Sequence, residues 1–143
     1  MTTMAEGMLR RAFGRQTDAR EALARGRNDV SMSDSIEAIE CAAKAAFLLL
    51  SQPYPKRHEF TDDEFAALFE RIPDQAKHLN FPRLFALYKL WMYFYTQAKY
   101  GNEKLDIAAA DLFQRDEAEL ALKHAGAWTT AVNVLAAQAG VLA

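Results

Sequence analysis

SMSDSIEAIECAAKAAFLLLS, residues 31–51, decides the fold. Within it Ile36, Ile39, Ala43, Ala46 and Leu50 recur at steps of three and four, the spacing of one helical face. Ala38, Ala42, Ala45, Phe47 and Leu49 cover much of the remaining circumference. A helix apolar nearly all round belongs inside a bundle, packed against several neighbours. Ser31 or Ser33 is the expected cap at its start, and Pro53 and Pro55 stop it from running on. Two charges interrupt the apolar run. Glu40 and Lys44 stand four residues apart and therefore side by side, either as a surface ion pair or as part of a site.

The chain has 143 residues, half of them apolar and a quarter charged, enough for one hydrophobic core and one domain over residues 1–143. Six glycines and four prolines fall between periodic segments, as in an all-helical protein. The net charge of −2 excludes a general electrostatic grip on nucleic acid. The N-terminal segment nevertheless gathers Arg10, Arg11, Arg15, Arg20, Arg25 and Arg27 against Glu6, Asp18 and Glu21, which makes either a solvated helix face or a surface for phosphates. A single cysteine, Cys41, excludes an internal disulfide, fits a reducing compartment, and is placed to pack as a small hydrophobe. Arginines from Arg10 onward interrupt any signal-peptide core, and no apolar run approaches the roughly 20 residues that span a bilayer. The expectation is a soluble, cytoplasmic protein.

Outward from the central helix, the pattern predicts a first helix over about Thr3–Arg25, with Leu9, Ala12, Phe13, Ala19 and Leu23 inward and Gly26 ending it. The short GRND connection implies an antiparallel pair. After the aperiodic QPYPKRHEF, Thr61-Asp62-Asp63-Glu64 has the form of a capping box and opens a short helix to about Ile72. Asn80-Phe81-Pro82 starts a third long helix, expected to reach about Tyr100 with Gly101 as a left-handed cap. It has two apolar faces. Leu84, Leu87, Trp91 and Phe94 form one, and Phe85, Tyr88, Met92 and Tyr95 form the other, which either fills a large core or pairs with a second copy. A final helix begins near Asp111–Asp116 and runs to about Gln138, with Ala121, His124, Trp128, Val132 and Leu135 inward. The fold class is all-α: an antiparallel up-and-down bundle of four long helices plus short ones.

Glu-x-x-His pairs, HExxH, a glycine-rich phosphate loop and a nucleophile elbow are all missing, so neither a metal nor another cofactor is expected. His124, on an apolar stripe, is read as a core histidine or a functional one.

DSIEAIECAAKAAFLLL, YPKRHEF, LFERIP, AKYGNEKL and DEAELALKHA, in that order over about Leu9–Leu135, resemble the HEPN family (higher eukaryote and prokaryote nucleotide-binding domain), especially its small stand-alone members. The resemblance implies a helical bundle, a homodimer, and kinship with substrate-binding subunits that accompany minimal nucleotidyltransferases, often in toxin–antitoxin pairs. It also implies site residues. Glu40 and Lys44 match a Glu-x-x-x-Lys, His58 matches a Pro-Lys-x-His loop, and Lys99, Tyr100 and Glu103 match the end of the third helix. Lys44 and Lys99 would take phosphate and Tyr100 a base. The family's ribonuclease motif, an Arg and a His with four to six residues between them, should fall at Lys99, yet KYGNEKLD holds no histidine. Arg71 and His78 have the spacing but straddle Pro73. The resemblance therefore implies a non-catalytic nucleotide- or substrate-binding module. An RNA-cleaving toxin with a non-standard site and a purely structural dimerisation module are the alternatives.

Overall fold

The computed structural model describes residues 3–54 and 60–139. Helix α1 spans Met4–Ala24, α2 Asn28–Leu49, α3 Asp62–Glu70, α4 Phe81–Tyr93, α5 Tyr95–Tyr100, α6 Ala109–Leu112 and α7 Arg115–Gln138, with a 3-10 helix over Asp74–Leu79. Among the described residues no strand forms; Asn102 and Ile107 make one isolated bridge. The bundle is all-α. None of these helices is long and apolar enough to cross a membrane.

α2 is the axis. It packs most extensively on α1, then on α7, and also touches α4, α5 and α6. Ile36, Ala38, Ile39, Ala42, Ala43, Ala45 and Ala46 are wholly buried. Alanine side chains allow neighbouring helix axes to approach, so burial here comes from close backbone packing rather than from bulky side chains. The helix starts at Asn28 with Arg27 as its N-cap, four residues before the nearer of the two serines. Ser31 lies inside it, and its Oγ donates to the Ala19 carbonyl at 2.8 Å, pinning α1 to α2. The serine bridges helices instead of capping one.

α1 ends as the glycine indicates. Gly26 has φ 74°, its N–H reaches Leu23 O and that of Arg27 reaches Ala22 O, so the last carbonyls are satisfied. The inward stripe of α1 runs through Ala5, Leu9, Ala12, Ala19 and Leu23, but Phe13 is exposed. Residue 13 is one helical step of about 100° past the wholly buried Ala12, which turns it away from the inward stripe. Thr61 and Glu64 form the capping box of α3.

The expected third long helix is broken in two. Phe94 leaves helical geometry at φ −91°, ψ 0°, and its ring packs edge-on against Phe113 and tilts against Trp91. The second aromatic face of α4 turns inward. Tyr88 stacks on Phe60 with ring centroids 5.0 Å apart, Phe85 stacks on Phe65, and Tyr88 and Met92 are buried. Of the face that either fills the core or pairs with a second copy, Phe85 and Tyr88 pack on α3 and Phe60 of the same chain. α7 behaves as its pattern indicates, with Ala121, His124, Trp128, Val132 and Leu135 buried.

Gly101 ends α5 at φ 75°, ψ −153°, an extended conformation open to glycine and not the left-handed cap expected. A Cβ built there would lie 2.2 Å from the Ile107 carbonyl oxygen. Gly101→Ala should therefore lower unfolding stability by about 2 kcal/mol or more in urea titrations. An unchanged midpoint would mean that the 102–107 turn moves aside freely.

Candidate functional site

The residues of α1, α2 and α5 that the core leaves over converge on one polar cleft of about 350 Å³. Met8, Arg11 and Arg15 line it from α1, Glu37, Glu40, Cys41 and Lys44 from α2, and Tyr95 and Lys99 from α5. The positions follow from helical spacing. Residues 8, 11 and 15, then 37, 40 and 44 with Cys41 beside them, then 95 and 99 follow steps of three and four, so each helix offers one stripe. Among the described residues four cations meet two carboxylates in its lining, in a protein whose net charge is negative.

Glu37 is the hub. One carboxylate oxygen lies 3.1 Å from Arg15 Nε and the other 3.0 Å from Lys99 Nζ. Lys99 also donates to the Tyr95 hydroxyl at 3.0 Å, with its ammonium 4.9 Å from the Tyr95 ring centroid. The hydrogen bond to Tyr95 and then the carboxylate of Glu37 hold the Lys99 ammonium above its ordinary range, so it stays charged. Arg15 faces two further acids, Asp18 at 3.7 Å and Asp34 at 4.0 Å. Burial, followed by the nearby charge of Glu37, pushes the Asp34 carboxyl up against the opposing pull of Arg15. Lys44 lies 3.9 Å from Glu40 and 5.7 Å from the centroid of the Tyr54 ring. Cys41 is buried at the cleft floor, and burial raises its thiol, which therefore stays protonated and packs as a small hydrophobe.

Of the residues expected from sequence, the structure brings Glu40, Lys44 and Lys99 together. Tyr100 is 68% exposed and Glu103 is exposed on the following turn; neither lines the cleft. Tyr95, one turn earlier, supplies the aromatic hydroxyl instead. His58 lies outside the described residues. Arg11, Arg15, Glu37 and Tyr95 were not expected as a group. Their three- and four-residue spacing was visible, but nothing in it pairs α1 with α5. Arg71 donates to the Leu50 carbonyl, and His78 stands exposed on the 3-10 helix.

His124 belongs to the core. The Trp91 indole N–H donates to its Nδ1 at 2.9 Å, which places the remaining ring proton on Nε2. Trp128 donates in the same way to the Leu84 carbonyl. Among the described residues no three His, Cys, Asp or Glu side chains gather so as to hold a metal ion.

A helical bundle with a cationic cleft beside its buried central helix is the class that this geometry defines. The HEPN domain family matches residues 5–135, nearly the whole chain, and the protein belongs to that family. No curated protein and no solved structure shows significant similarity to it.

Burial, followed by the charges of Arg83 and Lys123, depresses His124 below its ordinary value of 6.5. The unfolded chain then takes up a proton near that value while the native one does not. The stabilisation is present above the unfolded pKa and is lost as pH falls through it toward the folded one. Urea midpoints should accordingly drop as pH is lowered from about 7.5 to about 5, and more steeply in the wild type than in His124→Gln. Equal slopes would assign the acid sensitivity to other groups.

Proposed function

We propose that this HEPN domain is a non-catalytic module that holds a phosphate-bearing nucleotide or substrate in the α1–α2–α5 cleft, beside a nucleotidyltransferase-like partner. The observation that carries the reading is the convergence of Arg11, Arg15, Lys44 and Lys99, from three helices, against Glu37 and Glu40 among the described lining residues. Oriented cations in a partly desolvated cleft favour phosphate oxygens, and arginine adds a planar fork of donors. Tyr95 offers a ring edge and a hydroxyl beside them. The partner, like pairing with a second copy, is supported by the family alone.

Ribonuclease chemistry in this family needs a charge stabiliser and a proton-transfer group. Lys99 can serve as the first. Among the described residues no histidine lines the cleft, and the Arg71 and His78 pair is divided between a loop contact and an exposed turn. These facts favour binding over cleavage.

Calorimetric titration with AMP and ATP should show binding that Lys44→Ala and Lys99→Ala each weaken by about tenfold. A short RNA incubated with the protein should remain intact. Cleavage that disappears in His58→Ala would replace this reading with a catalytic one.

A further inference from the structure

Within this phosphate-binding reading, one cleft residue has a separate part to play. Two oxygens on one atom bridge two cations that belong to different helices, and this is the presentation a phosphate would make to the same pair. Glu37 makes that bridge at 3.1 and 3.0 Å with its side chain only 20% exposed. We infer that Glu37 is an internal counter-anion occupying the phosphate position, and that a ligand binds by taking the place of its carboxylate between Arg15 and Lys99.

Three features support the exchange. Glu37 is the carboxylate within ion-pair distance of Lys99 among the described residues, so a ligand must share that ammonium with it or replace it. Arg15 has acids to spare. Asp18 and Asp34 remain within 4.0 Å, so the arginine keeps carboxylate neighbours when Glu37 swings out. The carboxylates are also crowded: Glu37 and Asp34 stand on the same guanidinium, a repulsion that departure of one relieves. Binding is then a swap of one anion for another, and the free energy of the internal bridge is subtracted from every ligand alike.

The test uses the whole chain with AMP and, separately, inorganic pyrophosphate, titrated calorimetrically at fixed ionic strength. Glu37→Gln keeps the shape and removes the charge; it should tighten both ligands by about fivefold or more. Glu40→Gln, which removes equal charge from the same cleft, should tighten them by about twofold at most. Adding Lys99→Ala to Glu37→Gln should abolish the gain, because the vacated position then lacks one of its two cations. Glu37→Asp, with a carboxylate too short to span both cations, should fall between wild type and Glu37→Gln. Unfolding midpoints accompany each variant so that a loss of fold is not read as a loss of affinity. Unchanged or weaker binding by Glu37→Gln, while Lys99→Ala still weakens the otherwise wild-type protein, overturns the exchange and leaves the phosphate cleft standing. Failure of every variant to bind either probe removes the phosphate reading and the exchange with it.

Discussion

The enclosure of α2 is the constraint on which the other features depend. A helix that shows solvent so little of its circumference must bring its few charges out along one edge, because an unpaired charge inside such packing would cost several kcal/mol. Glu37, Glu40 and Lys44 all emerge along that edge, between α1 and α5. The cleft is therefore a by-product of core geometry: it opens where α1 and α5 flank the one edge of α2 that the packing leaves uncovered. Ser31, bonded to α1 through the Ala19 carbonyl, fixes the register of the α1–α2 pair and with it the distance from Arg15 to Glu37.

The two ends of the site have different structural origins. Arg15 and Glu37 lie on helices joined by a tight turn whose carbonyls are closed by Gly26. Lys99 arrives from a six-residue helix set off from α4 at Phe94 and stopped at Gly101. The break is what lets Tyr88 and Met92 serve the core while Tyr95 and Lys99 serve the cleft. In a continuous helix these four residues would share one stripe and compete for the same surroundings.

The long periodic segments were legible because each carries a stripe that a 3.6-residue repeat can reveal. The capping box at Thr61, the turn at Gly26 and the inward set of α7 read correctly for the same local reason. The break at Phe94 was hidden, since an aromatic residue in an apolar run keeps the helical pattern while its ring follows a tertiary partner, Phe113. The start of α2 was misplaced because a serine that caps and a serine that bridges two helices look identical in sequence. Of the site, Glu40, Lys44 and Lys99 were named in advance. Glu37 and Arg15 were not, because their role exists only across helix pairs. Tyr100 was named from the resemblance at the end of the third helix, although residues one apart on a helix point about 100° away from each other, so Tyr100 cannot share the side of Lys99.

Both indole N–H groups are committed inside the bundle, Trp91 to His124 and Trp128 to the Leu84 carbonyl, and both rings are buried and outside the lining of the cleft. The protein thus carries two tryptophan reporters of its interior and no tryptophan in the lining of its polar cleft. Tryptophan emission follows the packing of α4 on α7 and the protonation of the imidazole at Trp91. A shift in that emission when a small anion is added would be a sign of motion in the core, transmitted across α2, rather than of contact with the ligand.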